Sequence, residues 1–107
     1  QVARAFGVIV ITTSSSRERA DFCISMGADI ALVRSAQRFV DAVKESTMGR
    51  GVDVVVDCIG GATVNDNLQA LRLGGRYVIL ASDDRKWICA TKRSTIRCVN
   101  ILLVRCL

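Results

Sequence analysis

The chain has 107 residues, half of them hydrophobic and 23% charged, which is enough apolar material for one packed domain and argues against disorder. Fifteen lysines and arginines against ten acids give a net charge of +5, suited to an anionic partner, either a phosphate-bearing cofactor or a nucleic acid. There is no histidine, and the five cysteines, at positions 23, 58, 89, 98 and 106, form no Cys-x-x-Cys pair, which argues against a metal site and against a disulfide framework.

The thiols therefore read as reduced and mostly buried, in an intracellular protein. No apolar run reaches the roughly 20 residues that a membrane span needs, and no signal-peptide pattern opens the chain. A soluble, cytoplasmic protein is the expectation. The basic residues cluster only near the end, at Arg85, Lys86, Lys92, Arg93 and Arg97. That cluster reads as a solvated face rather than a nucleic-acid surface.

In chain order, Gln1 to Phe6 looks like the last turns of a helix, with Val2, Ala3 and Phe6 on one face and Gly7 as its stop. A chain that opens inside a helix is expected to be a piece of something longer. Val8 to Ile11 reads as a buried strand running into Thr12-Thr13-Ser14-Ser15-Ser16, whose hydroxyls suit the N-cap of a helix carrying Ala20, Phe22, Cys23, Ile24 and Met26 and stopping at Gly27. Asp29 to Val33 is a further short strand. From about Ala36 to Met48 the pattern is that of an amphipathic helix, with Phe39, Val40 and Val43 inward and Lys44 and Glu45 outward.

Gly51-Val52-Asp53-Val54-Val55-Val56-Asp57-Cys58-Ile59-Gly60-Gly61 has the β-branched core of a strand buried on both faces. Asn67, Leu68, Ala70 and Leu71 follow at helical spacing, then Gly74-Gly75 and a second run, Tyr77 to Leu80, completing a strand, crossover helix and strand. Strands alternating with helices predict an α/β fold with a parallel sheet, and such sheets bind ligands beyond the carboxyl ends of their strands. The chemistry is therefore expected near Cys58 to Gly61 and Leu80 to Ser82.

Several segments, taken in this order, resemble the NADPH-dependent quinone oxidoreductases, the zeta-crystallin-like, zinc-free members of the medium-chain dehydrogenase/reductase superfamily. They are Val2-Ala3-Arg4-Ala5-Phe6-Gly7, Ser15-Ser16-Arg17-Glu18-Arg19, Phe22-Cys23, Met26-Gly27-Ala28-Asp29, Met48 to Gly61, and Leu71-Arg72-Leu73-Gly74-Gly75-Arg76. The resemblance covers about Gln1 to Ser82 and returns weakly over residues 92–100, beginning at Lys92-Arg93-Ser94-Thr95-Ile96. It implies a Rossmann-like three-layer parallel sheet, with residues 1–107 forming a partial NAD(P)-binding domain.

The strand that precedes Gln1 in that family, and the Gly-x-Gly-x-x-Gly turn after it, are not in this sequence. The sheet is thus expected to lack its first central strand, between the strands placed at 8–13 and 52–57. Rearrangement, a second copy or instability would have to answer the gap. The run Ile101-Leu102-Leu103-Val104 reads as a buried edge strand or a helix turn. The family's equivalent region builds a dimer sheet, so the resemblance implies a homodimer.

The resemblance further implies NADPH as cofactor, no metal, and hydride transfer to a quinone or enone. Its cofactor-binding positions fall on Thr13, Ser14, Ser16, Arg19, Asp57, Cys58, Ile59, Gly60 and Ala81. Domains that prefer NAD end the second strand in an acid that holds the ribose 2′-hydroxyl; here that place is Thr13 or Ser14, with Arg17 or Arg19 available to a 2′-phosphate. The plainer reading is that Ser16 caps a helix, Arg17 and Arg19 are solvated, Asp57 caps the next helix and Cys58 packs in the core. No catalytic residue is assigned, and Tyr77 reads as core. An enoyl reductase of the same superfamily and a non-catalytic dinucleotide- or nucleic-acid-binding module remain the alternatives.

Overall fold

The structure, a computed structural model, describes residues 1–34, 39–80 and 100–105. After a single helical turn, α1 (Val2–Ala5), come β1 (Val8–Ser14), α2 (Arg17–Ser25), β2 (Ile30–Val33), α3 (Phe39–Ser46) and β3 (Val52–Asp57). A 3₁₀ turn at Gly61–Thr63 leads into α4 (Val64–Ala70), followed by β4 (Leu71–Ile79) and β5 (Asn100–Arg105).

Local chemistry explains most of these boundaries. Ser16 keeps an extended backbone and its hydroxyl accepts the N–H of Arg19, which caps α2, and an exposed Arg17–Asp21 ion pair at 3.2 Å spans the helix's first turn. In α3 the expected apolar stripe is inward, with Phe39, Val40, Ala42 and Val43 buried and Lys44 and Glu45 exposed. The start expected for this helix at Ala36 lies outside the described residues. Gly51, at φ +86°, turns the chain from α3 into β3, and a Cβ there would stand 2.7 Å from the carbonyl oxygen of Ala70. Only glycine permits that approach.

β4 departs from expectation. The Gly74-Gly75 pair does not break it; the strand begins at Leu71, and a register shift against β3 between Val52 and Val54 absorbs the glycines. In α4 the fully buried positions are Asn67 and Ala70, while Leu68 is half-exposed.

The sheet order is β2-β1-β5-β3-β4. β1 pairs with β2 in parallel, and β3 with β4 in parallel. The central position expected to be vacant is filled by β5, which runs antiparallel to both neighbours, Ile101 to Leu103 pairing with Val56 to Val54 on one side and Asn100 to Arg105 pairing with Thr13 to Val8 on the other. The gap is thus closed by rearrangement within the chain. The segment expected at an edge, or as a dimerising strand, is instead paired on both sides, because an unpaired edge at the middle of a sheet leaves two rows of backbone donors and acceptors unmet.

The main core packs strands of this sheet against α3 and α4. Ile11 of β1 and Val52 and Val55 of β3 pack with Phe39, Val40 and Val43 of α3 and Ala70 of α4, and Ile30, Leu32, Leu71 and Tyr77 border the cluster. α1 and α2 lie against β1 and β2. Their own apolar side chains Val2, Phe6, Phe22, Ile24 and Met26 are exposed, and Ala20 is buried.

Leu102 is the register partner of both Ile11 and Val55. Leu102→Pro is expected to cost about 1–3 kcal/mol through the unmade ladder hydrogen bond, with the proline ring adding to the loss. The check is a fall in the urea midpoint of unfolding; an unchanged midpoint would show that β5 is not seated between β1 and β3.

Candidate functional site

β1, β2, β3 and β4 share one direction, so their carboxyl ends line a single edge of the sheet, and β5 begins at that same edge, with Asn100 beside Thr13. The predicted site residues sort along it into two groups, one at the end of β1 and one at the end of β3, with β5 between them. Ala81 lies outside the described residues.

At the end of β1, Thr13 and Ser14 are fully buried. The Ser14 hydroxyl donates to the carbonyl of Ser16 at 2.9 Å, folding the strand end into the cap of α2. The Arg19 guanidinium donates to the Ser15 hydroxyl at 3.0 Å on an exposed surface. Thr13 to Ser16 contain no carboxylate; the acid of the first turn of α2, Glu18, is exposed. The end of β1 is therefore a neutral, hydroxyl-rich set of donors. The Thr13 hydroxyl is buried without a hydrogen-bond partner, so the donor set has capacity that the protein itself does not use.

At the end of β3, Asp57 is fully buried and its carboxylate is a hub. Oδ1 accepts the backbone N–H groups of Ile59 at 2.7 Å and Gly60 at 2.9 Å. Oδ2 accepts from the Asn67 side-chain amide at 3.0 Å, the Thr63 hydroxyl at 3.5 Å and the Tyr77 phenol. The carboxylate thus ties the loop after β3 to α4 and β4, accepting loop amides rather than capping the next helix as the sequence suggested, since neither the 3₁₀ turn nor α4 has a side-chain cap hydrogen bond. Gly60, at φ +67° and ψ −160°, adopts a conformation open to glycine, and Cys58 and Ile59 are half-buried beside it.

Tyr77 and Asn67 are the residues that sequence reasoning missed. They lie twenty and ten positions from Asp57, respectively, and their contact with it follows from the β3–α4–β4 crossover. The retrievable signal was a polar Asn67 on the inward stripe of a helix, where an apolar residue would otherwise stand. Burial, then the hydrogen bond to Asp57, push the Tyr77 phenol from 10.0 up to about 12, with the Asn67 contact pulling the other way.

Two predictions follow from this hub. Tyr77 is the chain's single tyrosine, so phenolate absorbance should rise near pH 12 in the folded protein and near pH 10 in denaturant. Because the folded value is the higher one, the associated stability is complete below about pH 10 and is lost as the pH rises through about 12. Coincident titrations in the two states would remove the Asp57–Tyr77 contact from the native structure. Asp57→Ala, which removes an acceptor shared by five donors, should lower stability by about 3 kcal/mol, read from denaturant midpoints.

Residues 1–104 match the family described as "Zinc-binding dehydrogenase". Among the described residues no three His, Cys, Asp or Glu side chains gather as a metal site. A quinone oxidoreductase of Sus scrofa is 28% identical over 82 residues, covering 77% of this chain and 25% of that protein. A 2-haloacrylate reductase of Burkholderia sp is 41% identical over 73 residues, covering 68% of this chain and 22% of its own. The crystal structure of the quinone oxidoreductase of Pseudomonas syringae pv. Tomato DC3000 superposes with a TM-score of 0.66 at 29% identity, over 67% of this chain and 22% of that one. The chain spans about a quarter of the length of the curated relatives it matches. With a Rossmann-like α/β sheet and a family match over nearly its whole length, the chain belongs to the zinc-binding dehydrogenase family, among the medium-chain dehydrogenase/reductase oxidoreductases.

Proposed function

We propose that residues 1–107 are part of the cofactor-binding domain of an NADPH-dependent oxidoreductase that reduces a quinone or enone by hydride transfer. The observation that carries this reading is the end of β1, where Thr13, Ser14 and Ser16 stand in place of the acid that a 2′-hydroxyl would require. Ser14, Ser16 and Arg19 would border the adenosine ribose, and the fully buried Thr13 stands behind them. Cys58, Ile59 and Gly60 would border the second ribose, on a loop whose shape Asp57 holds from within. The nicotinamide, when bound, supplies the hydride. This chain's residues bind and orient it, and none of the described residues is required as an acid or base.

The named relatives support a conjugated acceptor as substrate class, since a quinone and a 2-haloacrylate both present a carbon–carbon double bond conjugated with a carbonyl. Enoyl reduction is the second reading, favoured by the same 2-haloacrylate reductase. A cytoplasmic homodimer is part of the proposal. β4 is an outer strand of the sheet with Val78 and Ile79 exposed, which supports self-association.

Calorimetric titration of this chain with NADPH and NADH tests the reading, with the solution mass taken on the same sample. Binding of NADPH about tenfold tighter or better is expected, at a mass twice that of the 11.6 kDa chain. Equal affinities, or a preference for NADH, would overturn the cofactor assignment.

A further inference from the structure

Among the described residues, two buried side-chain polar atoms have no hydrogen-bond partner, the hydroxyl Oγ1 of Thr13 and the guanidinium nitrogen Nη1 of Arg34. They belong to the same corner of the fold. Thr13 is the next-to-last residue of β1 and pairs with Leu32 of β2, and the backbone N–H of Arg34, one residue beyond β2, donates to the carbonyl of Ser14 at 3.0 Å. Both therefore stand where the carboxyl ends of β1 and β2 meet.

A buried donor left unmade costs more than the same donor in water, and a charged one costs most. Native folds satisfy nearly all such atoms, so two exceptions at one corner call for a physical reason. Both groups can donate, and a guanidinium can only donate. The complementary ligand group is an acceptor, and the guanidinium charge selects an anionic one, for which phosphoryl oxygens are the geometric match. The arginines of α2 are weaker candidates. Arg19 is exposed and already donates to Ser15 at 3.0 Å, and Arg17 is exposed and paired with Asp21 at 3.2 Å. Exposed charges of that kind are screened by water and salt.

We propose that Arg34, assisted by the Thr13 hydroxyl, is the residue that selects a ribose carrying a 2′-phosphate. The deciding cation then comes from the end of β2 rather than from the first turn of α2. This inference rests on the NADPH reading above and names the residue behind it.

The test uses adenosine 2′,5′-bisphosphate and adenosine 5′-monophosphate as probes, titrated calorimetrically into the 107-residue chain and its variants. The unsubstituted chain is expected to bind the bisphosphate about tenfold tighter or better. Arg34→Gln should abolish that preference without changing monophosphate affinity, while Arg19→Gln, at a ribose common to both probes, weakens both alike and keeps the ratio between them within about threefold. Thr13→Val should raise the melting temperature of the free chain, because it removes an unsatisfied buried hydroxyl, and weaken bisphosphate binding; unchanged bisphosphate binding would overturn the hydroxyl's part. Should Arg34→Gln fail to fold by circular dichroism, Arg34→Lys carries the test, since it keeps the charge and loses the planar fork. A preference cut about threefold or more supports the proposal, and a full preference overturns it. A preference that survives Arg34→Gln, or that Arg19→Gln alone removes, assigns the phosphate to α2 and overturns the proposal while the NADPH reading stands. An unsubstituted chain that does not distinguish the two probes overturns both.

Discussion

The pairing of β5 with β1 on one side and β3 on the other is the interaction on which this fold depends. β2-β1 and β3-β4 are parallel pairs with no ladder between them except through β5. Their inner edges carry backbone donors and acceptors that need a strand, and those edges accept one of either sense, because parallel and antiparallel ladders differ in hydrogen-bond spacing and not in the groups used. The occupant runs against its neighbours and brings Leu102 level with Ile11 and Val55, two fully buried positions of the core. A Rossmann-like sheet is thereby completed with a reversed strand at its centre.

Much of this was legible in the residues. β1, β2 and β3 are β-branched runs bounded by turn residues, and α3 shows its buried stripe as spacing alone. Three features were not. Gly74-Gly75 reads as a break, yet β4 runs through it, because the register shift against β3 accommodates residues without side chains. Ile101 to Val104 are apolar in any setting, and nothing local tells a central strand from an edge; only the vacancy between β1 and β3 decides it. Asn67 falls on the helical stripe in the sequence, but nothing local shows what it bonds to, because its partner carboxylate is supplied by β3.

The same limit governed the site. Thr13, Ser14 and Ser16 could be placed at a strand end from sequence, since their hydroxyls precede a helix. Arg34 could not be distinguished from the other arginines, because what marks it is an unmet buried nitrogen, which is a property of packing. The two groups at the carboxyl edge also differ in kind. Around Asp57 the hydrogen bonds run to other residues of the same chain, so the loop after β3 is held in one shape. At the ends of β1 and β2, the Thr13 hydroxyl and one guanidinium nitrogen of Arg34 are buried without a partner. A satisfied network rigidifies its surroundings, and an unsatisfied one is open to a ligand.

β5 also has a kinetic meaning. It follows every other described element in sequence and takes its place in their midst, so Ile11 meets Leu102 across nearly the whole length of the chain. Contacts of such separation close late, since the entropy of the large loop is lost before the ladder forms. Until then the inner edges of β1 and β3 stay open, and open strand edges pair with whatever extended chain they meet. The interval between making β3 and seating β5 is thus when this chain is most exposed to association with its own copies.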